Sequence, residues 1–229
     1  MASNITIIPA GASDLPTLAH IISLAMQVDL INRLLFPDSV YDLTSISKAL
    51  LALFEKEFRE PNTHFFKATD NATGEIVGFG EITFHENAAP TLVAEPEEEQ
   101  GGQAPPEGMN LAFAGRFFGG LEEKRKQQMS AYPKYVEWRG LHVKPGHQRR
   151  GIGSALLKYG FETLKADELP VWLYTQMRGR NLYLQRGFKD LEPLDIDLKD
   201  YMGELSGYGV HRCPCMVRMP GGKETEESK

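Results

Sequence analysis

The sequence lacks the features of a secreted, membrane-spanning or zinc-stabilised protein. It has only two cysteines, Cys213 and Cys215, which are poor disulfide partners within one strand, and no matching histidine pair completes a zinc site. No run of about 18 apolar residues occurs, and the N-terminal MASNITIIPAG has neither the basic region nor the long apolar core of a secretory signal. We therefore expect a soluble, intracellular protein, cytoplasmic or else nuclear, that binds no metal.

Basic residues are also scarce and unevenly placed. The formal net charge is −6 and the sequence pI is near 5.6, so the chain lacks the dominant basic surface that general nucleic-acid binding requires. No Lys or Arg occurs between Ala68 and Gly115, a stretch that contains Asp70, Glu75, Glu81, Glu86, Glu95, Glu97, Glu98, Glu99 and Glu107. This stretch is suited either to a solvated surface or to a cationic ligand. We expect neither nucleic-acid nor membrane partners.

The chain has 229 residues, 41% of them hydrophobic, which is enough for one domain with a proper core. Hydrophobic periodicity and turn residues predict strands near residues 4–8, 64–68, 75–84, 135–143, 170–176, 189–198 and 210–219, and helices from Ser13 or Asp14, over 44–58, within 110–129, from Gly151 and over 180–186, with a loop over 30–40. The turn-rich residues 70–74 favour an antiparallel hairpin between the second and third strands. The prediction is one α/β domain over residues 1–219, with a flexible acidic insertion at about 86–108 and a disordered tail at 220–229.

A distinctive segment, HQRRGIGS at residues 147–154, joins the predicted strand over 135–143 to the next helix. The first turn of a helix carries free backbone N–H groups and the positive end of the helix dipole. Glycines at 151 and 153 would let an anion approach that backbone closely. The segment therefore predicts a site for a pyrophosphate, although a G-x-G at a helix start can also be an ordinary tight turn.

Two well-known phosphate loops do not fit this segment. A Walker A loop needs Gly, four residues and then Gly-Lys-Ser/Thr, and that spacing is absent. A dinucleotide fingerprint needs a third glycine and an acidic residue about 20 residues further on. Leu156 stands at the third-glycine position, and the strand PVWLYTQ ends without an acid.

The block WRGLHVKPGHQRRGIGSALL resembles the acyl-CoA signature of the GNAT superfamily of N-acyltransferases. In that signature, Gln or Arg, two residues, Gly, one residue and Gly or Ala follow a strand that ends in apolar-x-Val. Residues 148–153, QRRGIG, and residues 141–143, LHV, fit it. A second family motif, Tyr-x-x-x-Gly-Phe, is matched in the expected order by Tyr183, Gly187 and Phe188. The resemblance covers residues 135–188 closely and the rest of the chain only in outline.

The resemblance implies a mixed, mostly antiparallel sheet of about seven strands with flanking helices, in which a splayed strand pair holds acyl-CoA. The implied cofactor-binding residues are Leu141, His142, Val143, Gln148, Arg149, Arg150, Gly151, Ile152, Gly153 and Ser154. The backbone of residues 149–154, rather than the two arginine side chains, would make most of the contacts to the pyrophosphate. Tyr183 is the implied general acid that protonates the leaving thiolate. Many members have an Asn seven residues before this Tyr, where the present chain has Gln176, so the contacts of that Asn are not carried over.

An acceptor amine must be neutral when it attacks, so a base is expected in the same cleft. Glu137 ranks first because it lies on the strand that leads to Leu141, and alternation predicts that Glu137, Leu141 and Val143 share one face while His142 points away. A solvent-facing Glu137 is the alternative. Glu81 and His85, on the neighbouring strand, are weaker candidates.

The expected function is transfer of an acetyl group from acetyl-CoA to an amine, by direct attack in a ternary complex and without a metal. The absence of any recognisable peptide-binding feature favours a small-molecule amine as acceptor. Two alternatives stay open: a non-catalytic acyl-CoA-binding module, and a protein or peptide N-acetyltransferase. The protein is expected to be a monomer or a homodimer.

Overall fold

The computed structural model describes residues 4–26, 30–36, 43–86, 108–202 and 209–222. Most of the predicted acidic insertion and most of the predicted tail lie outside the described residues. Within the described ranges, no helix has the length and apolarity needed to cross a membrane.

A seven-stranded sheet organises the molecule, in the order β1-β2-β3-β4-β5-β9-β6, and β7 pairs with β8 in a separate two-stranded sheet. The strands are β1 Ile5–Pro9, β2 Thr63–Asp70, β3 Ile76–Glu86, β4 Lys134–Val143, β5 Val171–Tyr174, β6 Lys189–Asp190, β7 Leu194–Asp197, β8 Val210–Cys213 and β9 Cys215–Arg218. Every pairing is antiparallel except that of β4 with β5, which is parallel. The predicted α/β class, the mostly antiparallel sheet and the β2–β3 hairpin are confirmed.

Helices flank the sheet. They are α1 Leu15–Met26, α2 Leu30–Leu35, α3 Leu43–Glu57, α4 Leu111–Ala114, α5 Gly120–Met129, α6 Ile152–Glu162, α7 Met177–Gln185 and α8 Lys199–Met202. The start of α1 follows a 3₁₀ turn over Ala12–Asp14, whose N-cap is Gly11 rather than Ser13 or Asp14, and the Asp14 carboxylate accepts from the Gly11 N–H at 2.8 Å. The loop predicted over residues 30–40 was wrong in its first part, because α2 occupies it and buries Ile31 and Leu35.

The two faces of the sheet have separate cores. Helix α6 packs Leu156 and Leu157 against Phe66 and Trp138 on one face. On the other face, α1 and α3 cover Phe79 and its neighbours. Glycine permits two close approaches on the α6 side: a Cβ at position 80 would lie 2.3 Å from the Phe66 ring, and one at position 160 would lie 2.6 Å from Trp138. These glycines therefore make room for large aromatic rings.

Over their paired segments, 78–86 of β3 and 134–143 of β4, strand β4 contains one residue more than β3. Ile82 is opposite Trp138 and Glu81 is opposite Gly140, so Arg139 is the extra residue of a β-bulge. The Trp138 indole N–H donates to the Gly140 carbonyl at 3.0 Å across this bulge. From this point on, the alternation of side chains along β4 is reversed.

Candidate active site

The two central strands separate beyond the middle of the sheet. Strand β4 pairs with β5 at only two positions, Val136 with Val171 and Glu137 with Trp172, yet β4 continues to Val143. Within the described residues, no strand pairs with the β5-facing edge of β4 beyond Glu137. The backbone N–H and C=O groups of 141–143 on that edge can therefore accept an extended ligand as an additional strand.

A tight turn leads from β4 into α6. The Lys144 N–H donates to the Val77 carbonyl at 2.9 Å, and the His147 N–H donates to the Lys144 carbonyl at 3.0 Å. The Gln148 side-chain amide reaches back to the Val143 carbonyl at 3.2 Å. These bonds fix the end of β4 relative to residues 148–154.

Helix α6 begins as the glycine pattern predicts. Gly151 has φ 80° and ψ 2°, a left-handed conformation that costs other L-residues roughly 1–2 kcal/mol. The Ala155 N–H donates to the Gly151 carbonyl at 3.0 Å, so the amides of 152–154 belong to the first turn, where a helix offers N–H groups to a ligand. A Cβ at position 153 would lie 3.3 Å from Leu182. The turn therefore has the backbone geometry of an anion cradle, and its residues fit a pyrophosphate.

The two arginines of the turn differ in their contacts. The Arg150 guanidinium lies 2.9 Å from His147 Nδ1 and 3.4 Å from an Asp70 carboxylate oxygen. Arg149 is exposed and has φ 62°. Both side chains therefore extend the positive charge around the turn, while Arg150 also ties the turn to the end of β2.

A cavity of about 620 Å³ opens beside the separated strands, and both predicted catalytic residues, Glu137 and Tyr183, line it. The polar and titratable groups of its wall include Glu57, Glu81, Glu122, Arg125, Glu137, Arg139, His142, Tyr174, Gln176, Arg178, Tyr183, His211 and Cys213. The apolar part includes Ile31, Leu35, Leu53, Phe117, Phe118, Leu121 and Leu182. The cavity is of a size typical of small-molecule sites.

Glu137 is held by two basic side chains rather than exposed to solvent. Its Oε2 lies 2.9 Å from His85 Nε2 and 3.6 Å from Arg125 Nε, and only 14% of its side chain is accessible. Because Arg125 presents an N–H to His85 Nδ1 at 3.5 Å, the proton of a neutral His85 is assigned to Nε2, which donates to Glu137. His85 also stacks on Tyr135 with ring centroids 4.8 Å apart. The alternative of a solvent-facing Glu137 is therefore wrong.

The predicted face of Glu137 was also wrong. Leu141 and Val143 pack with Trp138 on the α6 side of the sheet, whereas His142 stacks on Phe79 on the opposite side. The bulge at Arg139 reverses the alternation, so Glu137 shares its face with His142 and not with Leu141 or Val143. The cavity consequently receives the Glu137 carboxylate and the His142 imidazole from one face.

Two further carboxyl groups lie in the cavity wall beside one guanidinium. Arg139 pairs with Glu57 at the end of α3, and its Nε lies 3.2 Å from Glu81 Oε1. Burial raises the pKa of the Glu81 carboxyl well above its usual range, and the Glu57 carboxyl adds to this effect. Burial also raises the pKa of Glu57, against the opposing charge of Arg139. Both carboxyls therefore keep a proton to higher pH than an ordinary carboxyl does, and their titrations are linked.

His142 and Tyr183 are both kept uncharged by their surroundings. Burial, assisted by the charge of Arg178, lowers the pKa of His142 to about 4. Tyr183 lies on α7 with its ring edge-on to Phe188 at 5.5 Å, and burial raises the pKa of its phenol. Within the described part of the chain, the Tyr183 hydroxyl has no protein hydrogen-bond partner, so it is available to a ligand in the cavity.

The sequence did not single out Glu57, Arg125 or Arg139. Arg125 was only one charge in the predicted helix within 110–129, and Glu57 was the polar end of an amphipathic helix. Arg139 is next to Trp138, but nothing in the sequence marks it as the extra residue of a bulge. These three residues come together only through the packing of α3, α5 and β4 around one cavity. The Cys213 and Cys215 thiols are buried and form no disulfide, and the described residues contain no group of three or more His, Cys, Asp or Glu that could hold a metal ion.

Comparison with known proteins identifies the family to which this chain belongs. Residues 28–188, well over half of the chain, match the Acetyltransferase (GNAT) family. The protein therefore belongs to the GNAT acetyltransferase family, whose members use acetyl-CoA. No curated protein matches the sequence.

Solved structures of several acetyltransferases share the fold. Arylalkylamine N-acetyltransferase 2 from Aedes aegypti has a TM-score of 0.65 at 16% identity, over 94% of this chain and 99% of that chain. A histone acetyltransferase HPA2 and related acetyltransferase from Corynebacterium glutamicum has a TM-score of 0.57 at 18% identity, over 97% and 99%. Arabidopsis thaliana NAA60, in complex with a bisubstrate analogue, has a TM-score of 0.55 at 14% identity, over 96% and 99%. At such identities the likeness extends to the fold and not to the acceptor.

Proposed function

We propose that this protein is an acetyl-CoA-dependent N-acetyltransferase that acetylates the amine of a small molecule. The observation that carries the proposal is the arrangement of three parts around one cavity: the open edge of β4, the glycine-bearing entry to α6, and a wall that contains both a carboxylate base candidate and a free tyrosine hydroxyl. Membership of the family indicates acyl transfer. The three parts indicate where acetyl-CoA would bind and which residues would move protons.

Acetyl-CoA would bind along the edge of β4, with its pyrophosphate at the entry to α6. The N–H groups of Ile152, Gly153 and Ser154 would hold the phosphates, and the backbone of 141–143 would hold the pantetheine arm as an added strand. When bound, acetyl-CoA supplies the activated thioester carbonyl. A backbone N–H of β4 in this region would stabilise the negative charge that develops on the carbonyl oxygen.

A small amine suits the cavity better than a peptide. The volume of about 620 Å³ is of the order of a small-molecule site. The wall combines apolar side chains, such as Phe117 and Leu121, with the carboxyl groups of Glu57, Glu81 and Glu137. An amine with an apolar body would satisfy both parts of this wall, in line with the arylalkylamine acetyltransferase that shares the fold.

Glu137 is the proposed general base. An alkylamine has an ordinary pKa of about 10.4, so roughly one molecule in a few thousand is neutral at pH 7. A carboxylate that accepts a hydrogen bond from His85 Nε2 at 2.9 Å is fixed in position and can take the ammonium proton directly or through one water. His85 and Arg125 then act as positioning residues.

Tyr183 is the proposed general acid. The amine nitrogen attacks the thioester carbon and releases one proton to solvent, the carbon–sulfur bond breaks, and the thiolate takes one proton from Tyr183, which solvent then reprotonates. The thiolate has a pKa of about 8.5 against about 10 for a phenol, so the transfer costs roughly 2 kcal/mol in water. Burial raises the pKa of Tyr183, which makes the phenol a weaker acid. The cavity must therefore raise the pKa of the coenzyme A thiol as well, by disfavouring the charged thiolate, for the proton to be transferred.

Release of free coenzyme A tests the proposal. Acetyl-CoA would be incubated with a panel of small amines and with a peptide that has a free N-terminus, using the wild-type protein, Tyr183→Phe and the control Tyr159→Phe. Tyr159 is a partly buried tyrosine of α6 that packs on Phe66. We expect turnover of at least one small amine, a loss of kcat of roughly a hundredfold in Tyr183→Phe, and little change in Tyr159→Phe.

Two outcomes would overturn the proposal. Tight binding of acetyl-CoA without turnover of any amine would identify a non-catalytic acyl-CoA-binding module. Turnover of the peptide alone would identify a peptide N-acetyltransferase and reject the small-molecule acceptor. Equal kcat values for wild type and Tyr183→Phe would remove Tyr183 from the mechanism while leaving the activity in place.

A further inference from the structure

We propose that Glu57 and Glu81 form a subsite that binds the ammonium group of the acceptor. This inference rests on the proposed function and names the chemical form in which the acceptor enters. The two carboxyls come from different elements, α3 and β3, and converge on one guanidinium, Arg139, in the wall of the cavity.

The charges of this group do not balance. Two carboxylates and one guanidinium carry a net charge of −1, and the Glu57 and Glu81 side chains are only 9% and 6% exposed. An uncompensated charge is costly in such a place. The group is therefore neutral either when one carboxyl holds a proton or when a cation enters from the cavity.

One atom of the group lacks a hydrogen bond. Glu81 Oε1 is fully buried and accepts no hydrogen bond from the described residues, although Arg139 Nε lies 3.2 Å away. Such an atom loses its water without gaining a donor, which disfavours its burial. A primary ammonium has three N–H donors, and it can satisfy this atom while it neutralises the group.

The position of Glu81 also fits the acceptor end of the cavity. Glu81 is opposite Gly140 in the sheet, and Gly140 directly precedes residues 141–143, where the thioester is proposed to lie. The titratable and charged groups around the pair are Arg139, Glu137 and His142 on β4 and Tyr174 on β5. Arg139 is the cation of this set that pairs with both carboxyls.

A measurable consequence follows from the charge balance. In the absence of acceptor, Glu57 and Glu81 share one proton. The raised pKa of both carboxyls agrees with this. Binding of a cation replaces that proton, so protons are released to the solvent on binding. A neutral molecule of the same shape carries no charge that could replace the proton, so it releases none.

Calorimetric titration of the coenzyme A-loaded protein with 2-phenylethylamine and with its neutral analogue 2-phenylethanol tests the inference. No acetyl group is present, so binding is measured without reaction. Titration at pH 7 in two buffers of different ionisation enthalpy gives the number of protons released. We expect the amine to bind on the order of tenfold or more tightly than the alcohol, with proton release for the amine only.

Variants identify the residues responsible. Glu81→Gln keeps the shape of the side chain but not its charge, and it is expected to remove most of the preference for the amine and its proton release. Glu57→Gln tests the partner carboxyl independently, should Glu81→Gln fail to fold. Glu55→Gln, at an exposed position on the same helix, is the matched control and is expected to retain both effects.

The outcomes separate this inference from the proposed function. Equal affinity for amine and alcohol, or a preference that persists in both Glu81→Gln and Glu57→Gln, would overturn the subsite even if amines are acetylated. A preference for the amine with proton release, lost in either variant, would support the subsite even if no amine is acetylated. In that second case only the proposed function fails.

Discussion

Glu137 and His142 lie on the same face of β4, although they are five positions apart in the sequence and strict alternation would place them on opposite faces. Arg139 is the extra residue that reverses the alternation. Trp138, Leu141 and Val143 consequently pack together against α6. This relationship brings a carboxylate and a neutral imidazole to one cavity beside the open edge of the strand.

The position of Glu137 gives a first prediction. Glu137→Gln keeps the hydrogen bond from His85 but removes the ability to take a proton. We expect kcat to fall by roughly a hundredfold or more and KM for acetyl-CoA to change little, in steady-state assays. Glu122→Gln is the control, because Glu122 is the other carboxylate paired with Arg125 and is half exposed. Unchanged kcat in Glu137→Gln would exclude Glu137 as the base.

The sequence predicted those parts of the site whose structure depends on a short segment of backbone. The start of α6 at Gly151 could be predicted because an apolar-periodic segment follows the glycine-bearing turn, whereas the left-handed conformation of Gly151 is seen only in the structure. The face of Glu137 could not, because no residue type marks a bulge at Arg139. The Glu57–Arg139–Glu81 group could not be predicted either, because it depends on how α3 packs across β3 and β4.

The entry to α6 gives a second prediction. Gly151→Ala forces an L-residue into φ 80°, and its methyl group would extend towards the proposed phosphate position. The control Gly74→Ala imposes a similar strain at φ 72° in the β2–β3 turn, where a Cβ also meets no atom within 4 Å. Both variants are expected to lose about 1–2 kcal/mol of stability in chemical denaturation.

Only the first of these two variants is expected to bind acetyl-CoA more weakly, by on the order of tenfold, in equilibrium titration. The comparison separates loss of the cradle from loss of stability. Equal dissociation constants for the two variants would show that residues 151–154 do not hold the cofactor.

The contact between Gly80 and Phe66 gives a third prediction. A Cβ at position 80 would lie 2.3 Å from the Phe66 ring, and both residues lie in the interior of the sheet. Gly80→Ala is therefore expected to lower the free energy of unfolding by roughly 1–3 kcal/mol, measured by urea denaturation. Combining it with Phe66→Leu is expected to cost less than the sum of the two single changes, because the smaller side chain makes room for the methyl group. Strict additivity would argue against this contact.

His142 gives a prediction for the pH dependence of stability. Burial lowers the pKa of His142 from an ordinary 6.5 to about 4 in the folded protein. As pH falls from 6.5 towards 4, the unfolded chain takes up this proton and the folded protein does not, so the free energy of unfolding falls in that window and levels off below it. Above pH 6.5 both states are neutral at this residue, and the contribution is constant.

The comparison of wild type with His142→Gln isolates this effect from the carboxyl groups. Urea denaturation at pH 7 and at pH 4.5 gives two free energies for each protein. We expect the wild type to lose roughly 1–3 kcal/mol more than His142→Gln between the two pH values. The variant His20→Gln, at an exposed position on α1, is expected to behave as the wild type does. A wild type and a His142→Gln variant that lose equal stability on acidification would mean that the His142 imidazole is protonated in the folded protein as readily as in the unfolded chain.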